Sequence, residues 1–353
     1  MTTYLIDIVG TCNLRCPSCP TGNYVSRDFI NEDKPLGFMS LDKFDAILSK
    51  VAEERKGQPT HVLLFNWGEP LLHPKAAEFI ERVRAYDNFI CAISSNLSLK
   101  IDLDRVVQAG PHSLRISLSG FNPETYSRTH RRGDVELVKA NMRKLREAMD
   151  RHASTMIVDV AYHVYRHNAG DDMESMLQLT QELGFNFRPI WASFYPVEKM
   201  MAYFEGKVSD ADAETIEMLA LKPEELLAAA KAQRSRRCWL QEGQTAINHD
   251  GTVQLCCATF DPAITIASDY LQTTPAELSA RKRASDVCSK CIAGGYHNMM
   301  LYRGADKAGD AANKRIAESG SRYRLVGEPN FMFRLEQISQ PDVDLVEAEP
   351  TTT

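Results

Sequence analysis

The sequence contains no hydrophobic run long enough to span a membrane, and aromatic residues make up only 8% of the chain. A membrane-spanning helix needs about 18 or more consecutive apolar residues, so we exclude an integral membrane protein. The chain also lacks an excess of positive charge, since 41 lysines and arginines face 47 aspartates and glutamates. The resulting net charge of −6 argues against a protein that binds nucleic acid or a membrane surface.

The N-terminus lacks the charged and apolar regions of a secretory signal peptide, because Met1–Thr3 leads directly into a predicted strand. Nine cysteines without a secretion signal indicate metal or redox chemistry in a reducing compartment rather than disulfides. We therefore expect a cytoplasmic protein. Its 353 residues, 44% of them hydrophobic, suffice for one large domain and a smaller one.

Short β-rich segments alternate with amphipathic helical patterns from the N-terminus to about residue 195. Six segments have strand character: Tyr4–Val9, His61–Trp67, Phe89–Ser94, Ser113–Leu118, Met156–Tyr165 and Phe185–Phe194. Such alternation predicts parallel βαβ units and an α/β sheet or barrel. Six units are fewer than the eight of a closed barrel, so we expect a barrel that does not close.

Composition divides the chain into four parts. Residues 1–200 hold the predicted βα units, and residues 201–236 form a charged helical connector. Residues 237–295 are rich in turns and hold five of the nine cysteines, which indicates a small metal-organised module. Residues 296–353 carry weaker signals, and their acidic end after Pro341 has the composition of a mobile tail.

Three cysteines near the N-terminus, Cys12, Cys16 and Cys19, have the spacing Cys-x3-Cys-x2-Cys. Three thiolates are one fewer than a cubane 4Fe-4S cluster normally takes from protein. One iron of such a cluster is therefore left open to bind another molecule. If the triplet is considered alone, a zinc site or a redox-active cysteine cluster is an alternative to the iron–sulfur cluster.

This triplet, in the loop after the first predicted strand, resembles the signature of the radical S-adenosylmethionine (SAM) family. The resemblance implies that the open iron chelates the amino and carboxylate groups of SAM. It also implies that an electron from the cluster cleaves SAM to a 5′-deoxyadenosyl radical. A (βα)6 partial TIM-like barrel and a flavodoxin- or ferredoxin-type electron donor are further implications of the same resemblance.

Further segments resemble the parts of that family that hold SAM. Gly68, Glu69 and Pro70 follow the second predicted strand, where the family has a Gly-Gly-Glu-Pro-like stretch, with Trp67 in place of the first glycine. The resemblance implies that the backbone here and the Glu69 carboxylate hold the amino group of SAM. It assigns further SAM contacts to Ser95, Asn96, Ser117, Arg128, Arg131 and Tyr162.

Four cysteines in the C-terminal half form a second predicted site: Cys238, Cys256, Cys288 and Cys291. Twelve residues separate the first of them from Gly251, four more precede the second, and the last two form a Cys-x2-Cys pair. This spacing resembles the SPASM domain in its shortened "twitch" form, which implies one auxiliary 4Fe-4S cluster. A zinc ion bound tetrahedrally by the same four cysteines is the alternative. Spacing assigns the second ligand to Cys256, and the adjacent Cys257 has no ligand role in this prediction.

These resemblances imply a radical SAM enzyme that abstracts hydrogen from a small polar substrate of sugar, aminocyclitol or nucleoside type, in natural-product biosynthesis. The auxiliary cluster takes or relays an electron in this scheme. Candidate substrate contacts near the end of the sixth predicted strand are Arg188, Trp191 and Tyr195.

Three other functions stay open on the sequence. One is a ribosomal-peptide maturase that forms crosslinks or epimers, although Cys12 leaves no room for the N-terminal peptide-recognition domain that many such enzymes carry. Another is sulfur insertion or rearrangement on a sugar or nucleoside. The third, from a different class, is a zinc-organised binding protein without catalysis.

Overall fold

A computed structural model describes residues 2–23, 36–233, 236–328 and 332–338 of the chain. The acidic tail predicted after Pro341 lies outside these residues. The strands are β1 (Thr2–Ile6), β2 (Thr60–Leu63), β3 (Phe89–Ser95), β4 (Ser113–Leu118), β5 (Ile157–Val164), β6 (Asn186–Trp191), β7 (Gln244–Ile247), β8 (Val253–Gln254), β9 (Thr265–Ala267), β10 (Tyr323–Glu328) and β11 (Met332–Gln337).

The helices of the described chain are α1 (Pro20–Asn23), α2 (Leu41–Arg55), α3 (Ala76–Arg84), α4 (Leu103–Gln108), α5 (Pro123–Thr129), α6 (Val135–Arg151), α7 (Asp171–Glu182), α8 (Val197–Phe204), α9 (Asp210–Glu217), α10 (Pro223–Ala232), α11 (Trp239–Glu242), α12 (Pro275–Ala284), α13 (Asp286–Gly294), α14 (Tyr296–Met299) and α15 (Ala305–Glu318). None of the helices in the described ranges has the length and apolar character needed to cross a membrane.

Strands β1 to β6 lie side by side in chain order, and each pairs in parallel with the next. Helices connect successive strands, as parallel pairing requires. The predicted α/β fold with six parallel strands is confirmed. Strands β1 and β2 end at Ile6 and Leu63, earlier than predicted, because the residues that follow leave the ladder and form loops at its carboxyl edge.

Strand β4 shows how the sheet separates its two faces. Leu114, Ile116 and Leu118 are fully buried, whereas Arg115 and Ser117, which alternate with them, are not. Successive side chains of a strand point to opposite faces. The sheet therefore has an apolar outer face packed against helices and a more polar inner face. We call the space in front of the inner face of β1 to β6 the barrel lumen.

The sheet continues beyond the six βα units into the cysteine-rich part of the chain. Strand β7 pairs in parallel with β1, with Thr3 opposite Gln244, and β8 and β9 follow in antiparallel pairing. Because β7 occupies the edge of β1, the boundary predicted at residue 237 divides the sequence but not the sheet. Farther along, β10 and β11 form a separate antiparallel pair.

Candidate active site

The first three cysteines lie in the loop after β1, at the carboxyl edge of the parallel strands. The Cys19 N–H donates to the Cys16 carbonyl oxygen at 3.0 Å, and the Leu14 N–H donates to Cys12 Sγ at 3.4 Å. Burial raises the pKa of Cys16, and the charges of Cys19 and Cys12 raise it further. Burial, followed by the charge of Glu69, raises the pKa of Cys12 to about 12. The loop thus holds three half-buried thiols, and binding to a metal cluster would stabilise their deprotonated form.

Glu69 places a buried carboxylate beside this loop. It accepts the Asn96 N–H at 2.8 Å and the Leu71 N–H at 3.2 Å, while its own N–H donates to the Thr11 carbonyl oxygen at 2.9 Å. Burial raises the pKa of Glu69 to about 7 despite these hydrogen bonds. A buried carboxylate is stabilised by a cationic partner, so its position fits the amino group of SAM.

Gly68 lies where two loops of the carboxyl edge approach each other closely. A Cβ atom at this position would lie 1.7 Å from the Val9 carbonyl oxygen, so only glycine fits. The Asp7 carboxylate accepts the N–H groups of Trp67 at 2.9 Å and Gly68 at 3.1 Å. Asp7 was not among the predicted site residues, although an acidic residue at the end of a buried strand is a signal that the sequence does contain.

Ser95 and Asn96 end β3 next to the first cysteine. The Asn96 side-chain amide donates to Asn13 Oδ1 at 3.0 Å and lies 3.8 Å from Cys12 Sγ. Ser95 Oγ accepts the Leu97 N–H at 3.0 Å, and Leu97 takes a left-handed backbone with φ of 51°. These residues therefore lie between the cysteine loop and Glu69. Pro70, also predicted to bind SAM, is buried at the start of the turn after Glu69.

The remaining predicted SAM contacts occupy different positions relative to this site. Ser117 lies on the inner face of β4. The Arg131 charge lowers the pKa of Cys16, against the larger effect of burial, so this guanidinium lies near the cysteine loop. Arg128 instead pairs with Glu124 at 3.2 Å, and both side chains are exposed. The structure thus brings Arg131 to the site and leaves Arg128 on the surface.

Tyr162 lies on the outer face of β5, away from the lumen, which differs from the prediction. Its side chain is fully buried, and its hydroxyl oxygen lies 2.8 Å from both the Asn168 carbonyl oxygen and Asp172 Oδ2, two acceptors that share its single hydrogen. Strand alternation places the adjacent His163 on the inner face instead. Burial and then the nearby Arg115 charge lower the pKa of His163 to about 4, so this imidazole is neutral at pH 7.

Two tyrosines that were not predicted lie next to the cysteine loop. The Tyr165 side chain hydrogen bonds to Ser18, and burial followed by the charge of Cys16 raises its pKa. The Tyr126 ring stacks on His130 with a centroid distance of 4.7 Å. Burial and the same cysteine also raise the pKa of Tyr126. Tyr126 begins the segment that holds the predicted contacts Arg128 and Arg131, but only the fold reveals that either tyrosine lies beside the cysteine loop.

The four C-terminal cysteines of the second predicted site line one cavity, whose other walls are mostly apolar. Cys238 immediately precedes α11, and Cys256 follows β8. Cys288 and Cys291 lie three residues apart on α13, so they share one helix face. Burial raises the pKa of all four thiols. The donor set and its enclosure fit a four-cysteine cluster and, by donor type alone, zinc.

Cys257 is not among the residues that line this cavity. Burial raises its pKa to about 11, against a hydrogen bond from Gln244 that lowers it. The geometry is therefore the one expected if Cys256, and not its neighbour, faces the cavity. Across the described ranges, no three His, Cys, Asp or Glu side chains are arranged to hold a single metal ion.

The three predicted substrate contacts of the sixth strand region separate into two groups. Arg188 lies on the inner face of β6 and pairs with Asp159 at 3.2 Å. Tyr195 lies near Cys257, whose charge adds to the effect of burial in raising its pKa to about 12. Trp191 is fully buried on the outer face, with its ring centroid 6.4 Å from that of Phe333. Strand alternation therefore removes Trp191 from the lumen.

The segment after Cys256 contacts the loop that carries Glu69. Trp67 Nε1 donates to the Thr259 carbonyl oxygen at 2.9 Å, and the Trp67 and Phe260 rings meet edge to face at 5.5 Å. The His249 ring lies so close to Gly10, just before the first cysteine, that a Cβ there would be 2.3 Å away. The two cysteine sites thus belong to segments that pack directly on each other.

Residues 6–174 match the sequence profile of the Radical SAM superfamily. This part of the chain, just under half of its 353 residues, is a radical SAM domain, and domains of this family use a 4Fe-4S cluster and SAM.

Two curated relatives are named GTP 3′,8-cyclase. The one from Chlorobaculum tepidum is 27% identical over 181 residues, which are 50% of this chain and 49% of the relative. The one from Limosilactobacillus fermentum is 27% identical over 135 residues, or 38% of each chain. The chain thus spans about half or less of the length of the curated relatives that it matches.

Solved structures of radical SAM enzymes share the fold. Streptococcus suis SuiB bound to precursor peptide SuiA superposes with a TM-score of 0.52 at 9% identity, over 82% of this chain and 66% of that chain. For anSMEcpe with bound AdoMet the TM-score is 0.50 at 15% identity, over 82% of each chain. At these identities the likeness establishes the architecture alone.

Proposed function

We propose that this enzyme binds two 4Fe-4S clusters and uses SAM to take a hydrogen atom from a small polar substrate in the barrel lumen. In this proposal Cys12, Cys16 and Cys19 hold the SAM-binding cluster. The observation that carries it is the position of Asn96, whose N–H binds the Glu69 carboxylate while its side-chain amide lies 3.8 Å from Cys12 Sγ. One residue thus joins the candidate cluster ligand to the candidate ligand of the SAM amino group.

Bound together, cluster and SAM supply a carbon-centred radical that can take hydrogen from an unactivated C–H bond, while the protein supplies binding and orientation. Glu69 binds the amino group of SAM and holds it beside Cys12. Gly68 lets the Glu69 loop approach the end of β1. Trp67 and Phe260 pack edge to face beside Gly68 and Glu69, and in this proposal their contact helps to exclude water from the reactive centre.

The second site is proposed to hold an auxiliary cluster with four protein ligands: Cys238, Cys256, Cys288 and Cys291. A cluster whose irons are all ligated by protein does not bind substrate readily, so it is suited to take or relay an electron. Lys282 is buried near these cysteines and donates to the Gln244 carbonyl oxygen. A positive charge there favours arrival of an electron. A flavodoxin- or ferredoxin-type protein is the proposed source of the first electron.

A reaction on a purine nucleotide is a second candidate, which the names of the two curated relatives favour. This second candidate keeps the clusters and the SAM chemistry of the first proposal and differs only in the substrate. Anaerobic incubation with deuterated GTP or a deuterated aminocyclitol separates the two, since only a true substrate transfers deuterium to 5′-deoxyadenosine.

Anaerobic reconstitution tests the proposal directly. We expect about eight irons per chain and 5′-deoxyadenosine formation from SAM with dithionite. Replacing Cys12, Cys16 and Cys19 with alanine should leave about four irons and abolish 5′-deoxyadenosine formation. The pair Cys288→Ala and Cys291→Ala should remove the other four irons.

Cys91→Ala is the matched control, because Cys91 is a fully buried cysteine of β3 outside both sites. This variant should retain both clusters. Bound zinc in place of iron, with no 5′-deoxyadenosine from the wild-type protein, would instead support the zinc-organised binding protein.

A further inference from the structure

A row of polar side chains crosses the inner face of four neighbouring strands. Register pairs Ser94 of β3 with Arg115 of β4, Arg115 with Asp159 of β5, and Asp159 with Asn186 of β6. Paired residues of adjacent strands point to the same face. Arg188 follows on the same face, two residues after Asn186. The row therefore lies inside the lumen, below the carboxyl edge where the cysteine loop begins.

Asp159, the carboxylate of this row, already has hydrogen-bond partners within the row. Asp159 Oδ1 accepts the Asn186 side-chain amide at 3.0 Å and the Arg188 Nε–H at 3.2 Å. Arg115 binds only neutral groups, since its Nε–H donates to Ser94 Oγ at 3.1 Å and its guanidinium lies 4.9 Å from the Phe65 ring centroid. Among the described residues, no carboxylate oxygen lies within 4.0 Å of the Arg115 guanidinium. Because Asp159 pairs with Arg188, the positive charge of Arg115 has no carboxylate in contact with it.

The Arg115 side chain is surrounded by other parts of the chain and is also accessible to water. The chain surrounds the guanidinium closely enough that burial lowers its pKa, yet its side chain is exposed to solvent. Both facts fit a side chain on the inner face of the sheet that borders a space that water can enter. Arginine stays charged in proteins. The Asp159 charge raises the pKa of Arg115 against the effect of burial, but that carboxylate is already bonded to Arg188. The guanidinium thus lacks a contacting counterion of its own, and enclosing it is costly. An anion that entered this space would relieve that cost.

Two further titratable groups near Arg115, His163 and Tyr195, carry no negative charge at pH 7. His163 is on the same face and is neutral, since burial and Arg115 lower its pKa to about 4. Burial raises the pKa of Tyr195 to about 12, so its phenol is protonated.

We propose that Arg115 binds an anionic group of the substrate, a carboxylate or a phosphate, within the barrel lumen. The guanidinium presents a planar set of donors that matches either group. Ser117 lies two residues farther along β4, about 7 Å toward the carboxyl edge. The anionic end of the substrate therefore lies deep in the lumen, and the rest of the molecule extends toward the cysteine loop. This inference rests on the proposed function for the statement that the anion belongs to the substrate.

Isothermal titration of the reconstituted holoenzyme with SAM tests the proposal, with pyrophosphate and glutarate as probes at low salt. We expect one of the two to bind, which also decides between phosphate and carboxylate. Arg115→Gln should weaken binding of that probe at least tenfold, and Arg115→Lys, which keeps the charge, should lose less. Arg146→Gln is the control, since Arg146 pairs with Asp150 on the surface of α6 and should not change the affinity.

Iron content and thermal melting establish whether each variant is folded. If Arg115→Gln does not fold, the affinity of Arg115→Lys is compared with that of the wild type instead. Equal affinity of the wild type and the folded Arg115 variant would overturn the proposal, as would failure of both probes to bind the wild type at millimolar concentration. Failure of the proposed function is distinguishable, because it appears as missing iron or missing 5′-deoxyadenosine whatever the probes do.

Discussion

At the scale of single residues, the position of a buried carboxylate determines what it can bind. Glu69 is buried and Glu198 is half-buried, and each accepts two backbone N–H groups. Burial raises the pKa of both. Only Glu69 lies against the first cysteine loop, where its charge contributes to the pKa of Cys12. Position therefore makes Glu69 a candidate ligand of SAM, whereas the Glu198 carboxylate binds the backbone of residues 260 and 261.

The raised pKa of Glu69 predicts how SAM binding depends on pH. In the free protein the Glu69 pKa is about 7, and an ammonium partner favours the ionised form. SAM affinity should therefore increase as pH rises through about 7, and below that pH it should fall by up to about tenfold per unit. Equilibrium dialysis of labelled SAM against the reconstituted protein between pH 5.5 and 7.5 measures this.

Two variants accompany that measurement. Glu69→Gln should bind SAM more weakly and without the pH dependence, because no carboxylate remains to ionise. Glu198→Gln should keep the wild-type pH dependence. A wild-type affinity that does not change across this range would refute the assigned role of Glu69.

At the scale of elements, the carboxyl edge of the sheet depends on close contact between the loops after β1 and β2. Three interactions join them: the Asp7 carboxylate binds the N–H groups of Trp67 and Gly68, and the Glu69 N–H binds the Thr11 carbonyl oxygen. The absence of a side chain at Gly68 allows this approach. The cysteine loop is therefore held by the loop that presents Glu69.

Gly68→Ala should separate these loops. The new Cβ would collide with the Val9 carbonyl oxygen, and such overpacking costs about 1–3 kcal/mol. We expect a lower free energy of unfolding in urea and a lower iron content at the first site. Gly309→Ala is the control, since Gly309 lies inside α15 with only the Asn313 side chain within 4.0 Å. That change should stabilise the protein by about 1 kcal/mol. Equal stability of Gly68→Ala and the wild type would contradict the close approach.

At the scale of the whole molecule, the cysteine-rich part completes the sheet of the radical SAM domain. Strand β7 covers the edge of β1, and the Asp7 N–H donates to the Ile247 carbonyl oxygen at 2.8 Å. The His249 ring and the Thr259 carbonyl oxygen add contacts to the two loops of the first site. The segments that carry the two cysteine sites are therefore joined by one sheet.

A chain that ends at residue 237 should accordingly aggregate. Removing β7 would expose the unpaired N–H and C=O groups of β1, and an exposed strand edge promotes pairing with other chains. Size-exclusion chromatography of this fragment beside the full chain measures the effect. A monomeric fragment with a cooperative thermal transition would show instead that the six βα units are complete without β7.

Much of the fold could be predicted because its signals are local. Hydrophobic periodicity and turn residues indicated six strands and the helices between them, and the structure confirms this order. The strand ends were predicted less well, since β1 and β2 end before Val9 and Trp67. Those last residues are apolar like a strand, yet they leave the ladder to form the loops at the carboxyl edge. No local pattern distinguishes the two roles.

The sequence by itself determined the order of the βα units and the spacing of both cysteine sets, because each depends on residues close together in the chain. Only the tertiary structure decided that Tyr162 and Trp191 face outward, that Arg131 and not Arg128 lies near the cysteine loop, and that Arg115 stands in the lumen without a carboxylate partner. For Tyr162, Trp191 and Arg115, which lie on strands, the physical reason is strand register. A shift of one residue between strands turns every side chain to the opposite face, and that register is set by contacts between segments far apart in the chain.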